Sequence, residues 1–495
     1  MDIKKTDLSI ENTEIVIVGA GIAGLGAAIT LEQSDFKEYI LLEAQSQVGG
    51  RIASIPWKNG WLELGAQFLH GRESTLAQLA EIKGLLSCID GAEGEGLYLR
   101  VDGSNVDQAL ILEVDDIVKN ILEDCEKYAL NNEIEYSDIE ENIGKVLKNR
   151  FNKYLRITND PVDIRQIKEE LFDWNVRFLL IDNACMQLDE LSVKSWGKFK
   201  SVNGPEYNIF NTHYGAIVES ITRELSQDNI RLNCPVTKIE WNDKIDVNNP
   251  RPITITLENN KKINTKCAII TSSLGFLKEN HDKLFIPMLP KQFVTAIQSL
   301  GFGLINKVFL EFSEPWWEPN TKGFQFLWND NTEKCNNNPA RKKLAGWAKD
   351  LTGFDVIKDQ KSILLGWVGG KGACVIETLS EQQIIKDCAE IFRFFLKNEN
   401  VPEASKCIKS TWFSNRYVKG GYSHISKKCD IAGISPATLA KPIWGTINSY
   451  NNIKNFPILM LAGEATHDNY YSTTHGAYDS GVKQAQIFLK HYRTE

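Results

Sequence analysis

The hydrophobic period of the chain changes several times, and each change marks an element. Glu14-Ile15-Val16-Ile17-Val18 is a short apolar run ending at a glycine, the pattern of a strand buried on both faces of a parallel sheet. Residues 22–33 repeat apolar positions at helical spacing, and Tyr39-Ile40-Leu41-Leu42-Glu43 is a second buried run. Strand, glycine turn, helix and strand make a βαβ unit. Residues 106–180 read as mainly helical and rich in charge, with apolar positions three and four apart over 111–130 and 139–151. The period falls to two over 231–241 and 253–257, which predicts strands, and Asn259-Asn260 suits the turn after the second. Residues 266–271 form another buried run. Residues 308–312 and 362–368 predict strands of a second sheet, with a polar, Asn-rich surface loop over 329–343 between them. An amphipathic helix over 384–396, an apolar strand over 458–462 and a helix over 476–492 complete the chain.

Composition narrows the class. At 495 residues the chain exceeds what one core supports, so two or more domains are expected. A net charge of -8 argues against nucleic acid as a partner and suits a cationic small molecule. Ten cysteines are scattered with no C-x-x-C pair, which removes the zinc and thioredoxin spacings and fits buried free thiols in a reducing compartment. The polar start Met1-Asp2-Ile3-Lys4-Lys5 has no signal-peptide core, and no run approaches the eighteen apolar residues of a membrane span. The C-terminal Tyr492-Arg493-Thr494-Glu495 carries no peroxisomal address, so the cytoplasm is the expected location. No metal site is expected, and neither G-x-S-x-G nor H-E-x-x-H occurs.

The most specific local signal is Gly19-Ala20-Gly21-Ile22-Ala23-Gly24, which follows a strand, opens a helix and precedes Glu43 at the end of the next strand. Gly19 permits the tight turn, Gly21 lets backbone N–H groups approach a pyrophosphate, and Gly24 lets helix and strand pack closely. The phosphates would lie at the helix N-terminus, and Glu43 would accept from ribose hydroxyls. This fingerprint does not separate FAD from NAD. Gly49-Gly50-Arg51 shifts the balance towards FAD, supplying two flexible residues and a guanidinium beside the phosphates.

Several further motifs, in order, resemble the flavin-dependent amine oxidases, and within them the polyamine oxidase branch that includes spermine oxidase and N1-acetylpolyamine oxidase. They are Leu62-Glu63-Leu64-Gly65-Ala66-Gln67-Phe68-Leu69-His70-Gly71, Thr271-Ser272-Ser273-Leu274-Gly275, Gly301-Phe302-Gly303-Leu304-Ile305-Asn306-Lys307, Trp412 with Arg416-Tyr417-Val418-Lys419-Gly420-Gly421-Tyr422-Ser423, and Gly463-Glu464-Ala465-Thr466-His467 followed by Tyr470-Tyr471-Ser472-Thr473-Thr474-His475-Gly476. The segment of about 90–180 carries little of the match.

The resemblance implies an α/β fold. A Rossmann-type FAD-binding domain over 1–90, 214–285 and 435–495 would be interleaved with an α+β substrate-binding domain over 91–213 and 286–434, a mixed sheet flanked by helices. FAD would be held by Gly19, Gly21, Gly24, Glu43, Gly50, Arg51, Gly65, Ala66, Gln67, Val236, Trp412, Gly463, Glu464, Thr473 and Thr474. Glu464 would meet the ribityl chain, and the helix N-terminus near Thr474 would stabilise negative charge on the reduced ring. Lys307 and His70 would be catalytic. Lys307 would place its ammonium, through water, at flavin N5. His70 would bond the polyamine or keep its reacting nitrogen neutral. Asp182 stands where the branch has a longer glutamate gripping a distal ammonium. Tyr422, Tyr471 and Thr474 would complete the substrate contacts, with Trp412 adding to the aromatic wall.

The expected reaction is oxidation of spermine or an N1-acetylated polyamine at a secondary amine. Oxygen is the acceptor, and an aminoaldehyde, a shorter polyamine and hydrogen peroxide are the products. The alternatives are a demethylase-type flavin amine oxidase, a flavin oxidase acting on a non-amine, or an FAD-binding protein without catalysis. A monomer or weak dimer, with no membrane partner, is expected.

Overall fold

A computed structural model describes residues 10–130, 142–328, 344–358, 360–449 and 452–493. The expected loop over 329–343 lies outside these residues, as does the beginning of the helix expected from 139.

The larger of the two main sheets is built on Glu11–Val18. That strand pairs in parallel with Tyr39–Leu42 on one side and Lys262–Ile270 on the other, with Ile15 opposite both Tyr39 and Cys267. Asn452–Leu461 joins in parallel beyond Lys262–Ile270, and Ile230–Arg231 beyond Tyr39–Leu42. Ile15, Val16, Ile17, Leu41, Ile269 and Ile270 are fully or almost fully buried, which is why their stretches read as unbroken apolar runs. An antiparallel arm, Val236–Trp241 with Ile253–Leu257, is attached through Lys262–Ile270.

Helices Ile22–Gln33 and Thr474–Tyr492 pack against each other on one side of this sheet, closely enough to need glycine. A Cβ on Gly481 would lie 1.8 Å from the Ala23 carbonyl oxygen, and one on Gly26 would lie 2.7 Å from that of Tyr478.

The second sheet has six strands in the order Lys406–Lys409, Asn306–Glu311, Ile363–Val368, Leu351–Val356, Gly323–Leu327 and Leu97–Arg100. Its first five strands pair antiparallel, and Leu97–Arg100 joins in parallel. Helix Glu381–Leu396 covers it through Ile384, Ile391, Phe392 and Phe395. Helices Gln108–Leu130, Ile143–Thr158 and Val162–Asp182 form a third core around Val114, Leu147, Phe151 and Leu171.

The continuous strand expected over 231–241 is in fact two. Asn233 adopts a left-handed φ of 54° and Pro235 lacks a ladder N–H, so pairing stops at Arg231 and resumes at Val236. The nine described cysteines are free thiols, but Cys88 is exposed rather than buried.

Candidate active site

The carboxyl ends of the central parallel strands converge on one cavity of about 760 Å³. Val18 leads into Gly19, Leu42 into Glu43, Ile270 into Thr271 and Leu461 into Gly463, and Gly19, Glu43, Thr271 and Gly463 all line it. The crevice at strand carboxyl ends is where open α/β sheets bind ligands.

One end of the cavity fits a dinucleotide. Gly19 has a φ of 104°, which a side chain would strain, and the helix after it begins at Ile22 with no side chain capping its first turn. Its free N–H groups and dipole therefore face the cavity. Gly21 bridges to Gly49, and a Cβ on Gly50 would come within 3.3 Å of the Gly21 Cα. Gly24 does not line the cavity. A Cβ there would lie 1.9 Å from the Gly19 carbonyl oxygen, so it serves the close packing of turn and helix.

Glu43 is buried, and its carboxylate accepts from the backbone N–H groups of Ala20 at 2.8 Å and Gln45 at 2.9 Å. These bonds fix it at the cavity wall with lone pairs to spare for hydroxyl donors.

Arg51 and Glu464, expected at separate parts of the cofactor, are joined directly. Arg51 Nη1 donates to Glu464 Oε1 at 2.9 Å and to the Gly421 carbonyl at 2.7 Å. The other Glu464 oxygen accepts from Ser423 Oγ at 2.5 Å and Ser472 N at 3.0 Å. Glu464 is thus a buried tie between three distant segments, and any ribityl contact shares an oxygen already in use. Thr473 caps its helix, accepting from Gly476 N at 3.0 Å, and the Thr474 hydroxyl pairs with Tyr214 Oη at 2.5 Å. Ala66, Val236 and Trp412 line the cavity too, with Trp412 Nε1 donating to the Leu64 carbonyl at 3.0 Å.

Lys307 comes from the strand Asn306–Glu311 of the second sheet and enters the cavity beside Gly65 and Gln67. Its Nζ donates to the carbonyls of Glu63 at 2.8 Å and Gly65 at 2.7 Å, and to Gln67 Oε1 at 2.8 Å. It also sits 4.3 Å from the centre of the Trp367 ring. Burial pushes the ammonium down to about 7, against the pull of the Glu63 and Glu93 carboxylates. The same burial raises the Glu63 carboxyl.

His70 Nδ1 lies 2.8 Å from the Glu206 carbonyl oxygen. A carbonyl only accepts, so Nδ1 carries the proton and Nε2 is an acceptor in the neutral ring. Burial lowers its pKa, partly offset by that bond, so the neutral form prevails at pH 7.

Asp182 ends the helix Val162–Asp182, with its carboxylate reachable from the cavity. Desolvation and the Glu206 charge push it up to about 6. Tyr422 donates its hydroxyl to the Ile181 carbonyl at 2.7 Å, and Tyr471 packs edge-on to Phe199.

The sequence reading missed Glu93 and Glu206, which line the cavity with Asp182. Desolvation, then the Asp355 and Asp182 charges, push Glu93 up to about 8. Asp355 nearby is raised to about 7, again mainly by burial. The available signal for Glu93 was its setting in Gly91-Ala92-Glu93-Gly94-Glu95-Gly96, where Gly94 and Gly96 take positive φ. Trp367 and His475 were also missed. His475 is almost fully buried, with both ring nitrogens unpartnered among the described residues, and burial lowers it to about 4.

Comparison with known proteins accords with this geometry. A profile of the flavin containing amine oxidoreductases matches residues 22–489. The human peroxisomal N(1)-acetyl-spermine/spermidine oxidase is 27% identical over 496 residues, covering 96% of this chain and 94% of that protein. Human lysine-specific histone demethylase 2 is 24% identical over 96% of this chain, which spans 53% of its length. The solved structure of putrescine oxidase bound to putrescine shares the fold, with a TM-score of 0.68 at 15% identity over 97% of this chain and 99% of that one. With a match that runs nearly end to end and a cavity shaped for a dinucleotide, the chain belongs to the flavin containing amine oxidoreductase family, with FAD as its cofactor.

Proposed function

We propose that the protein oxidises a polyamine, spermine or an N1-acetylated spermine or spermidine, at a secondary amine. One observation carries this reading: a single cavity holds a buried lysine, a neutral histidine, an aromatic wall and a group of carboxylates with raised pKa values. Burial and mutual repulsion raise these carboxylates, and the ammonium groups of a polyamine would offset both.

FAD, when bound, supplies the acceptor that takes a hydride from the carbon beside the amine and passes both electrons to oxygen. The protein groups bind and orient. Asp182, Glu93 and Glu206 hold the ammonium groups away from the reacting bond. Tyr422, Tyr471 and Trp412 flank the alkyl chain. His70 Nε2 accepts the proton of the reacting nitrogen, leaving the lone pair that hydride loss requires. Lys307 holds a proton at the floor of the site. Gly19, Gly21, Glu43, Gly50, Arg51, Gly65, Ala66, Gln67, Val236, Gly463, Glu464, Thr473 and Thr474 hold the cofactor, and Gly24 supports the turn. Water adds to the oxidised carbon–nitrogen bond, releasing an aminoaldehyde and a shorter polyamine, and oxygen becomes hydrogen peroxide.

The cytoplasm is the compartment we propose, in keeping with the free thiols of the described residues. The protein would act there as a monomer or weak dimer. Peroxide release is tested with spermine, spermidine, N1-acetylspermine and N1-acetylspermidine. Turnover of at least one is expected, and turnover of none overturns the substrate assignment.

A further inference from the structure

Lys307 has no N–H to spare. An ammonium has three donors, and they go to the Glu63 carbonyl, the Gly65 carbonyl and Gln67 Oε1, all within 2.8 Å. The Trp367 ring covers a further side. Two of these acceptors are peptide carbonyls fixed by the backbone. Gln67 is the exception, a side chain with rotatable bonds that also lines the cavity. A lysine ammonium has no lone pair and cannot accept from an amide NH2, so Gln67 presents its oxygen here rather than its nitrogen.

We propose that Gln67 is a positioning residue: its amide oxygen occupies the third N–H of Lys307, so a water or substrate atom reaches that proton only when the amide turns away. This rests on the reading of Lys307 as an active-site group. The consequence is specific to the amide. The two carbonyls hold the lysine stem in place, while Gln67 decides whether its remaining proton faces the reacting centre. Burial disfavours the charged lysine, so the loss of one acceptor also matters to its protonation.

Two near-isosteric variants of the holoenzyme separate this from a packing role. Gln67→Met keeps the volume and removes the acceptor. Gln67→Glu keeps the acceptor and adds charge. Lys307 protonation is read by competitive acetylation with acetic anhydride across pH, followed by mass spectrometry of the Lys307 peptide. The pH titration of the bound flavin's visible spectrum, which needs no substrate, is read alongside and decides where Lys307 resists the reagent. The midpoint should fall by about one pH unit in Gln67→Met and rise by about one in Gln67→Glu, each compared with wild type at saturating FAD. Midpoints equal to wild type, or moving in the same direction in both variants, overturn the proposal. Absence of polyamine turnover by the wild type would instead count against the substrate reading, and the acetylation comparison would still stand on its own.

Discussion

Lys307 shows what a single residue can and cannot reveal before folding. Its place after Gly301-Phe302-Gly303 marked it as a candidate, yet its partners, Glu63, Gly65 and Gln67, are some 240 positions away in the chain. Lys307→Met should abolish most peroxide production while leaving flavin bound, measured as turnover per bound flavin; unchanged turnover would remove Lys307 from the mechanism. The carboxylates were harder to see. Asp182 ends a helix and was legible from motif spacing, but Glu93 and Glu206 lie on irregular segments with no period to mark them. Only the folded chain brings these three to one cavity. Glu93→Gln and Asp182→Asn should each raise KM for spermine about tenfold, with kcat changing far less. The pH dependence has a definite sign. Asp182 at about 6 and Glu93 at about 8 are neutral below those values, so polyamine affinity should strengthen as pH rises through them. Glu93→Gln should remove the upper part of that rise, which a KM–pH series would read directly.

At the scale of elements, the parallel strands and the helices flanking them were the most legible, because burial on both faces writes an unbroken apolar run. The turn at Gly19 and the helix Ile22–Gln33 lie where the glycine motif and the helical spacing placed them. The strand expected over 231–241 was not, since the apolar alternation continues through Asn233 and Pro235 while the backbone does not. Much of the second sheet was also hidden. Gly323–Leu327 and Leu351–Val356 are mostly buried on both faces and flank the polar run at 329–343, so no alternation marks them. The contact between Ile22–Gln33 and Thr474–Tyr492 joins the two ends of the chain and depends on Gly481. Gly481→Ala puts a methyl against the Ala23 carbonyl and should cost about 1–3 kcal/mol. A lowered thermal midpoint with partial flavin loss is expected, and a midpoint equal to wild type would show that the helices separate at no cost.

At the scale of the molecule, the site exists because distant segments meet. Strand ends of the larger sheet supply the dinucleotide end of the cavity, the strand Asn306–Glu311 supplies Lys307, and the helix Val162–Asp182 supplies Asp182. FAD should therefore stabilise the whole chain, with a thermal midpoint that rises with free FAD by mass action. The proposed activity requires electron transfer from a polyamine to bound flavin. The direct measurement is the visible flavin absorbance of the purified holoenzyme, mixed anaerobically with spermine, spermidine, N1-acetylspermine and N1-acetylspermidine in turn. At least one should bleach the flavin within the turnover time, and admitting oxygen should restore the colour with one peroxide per flavin. A flavin that stays oxidised with every one of them would contradict the account.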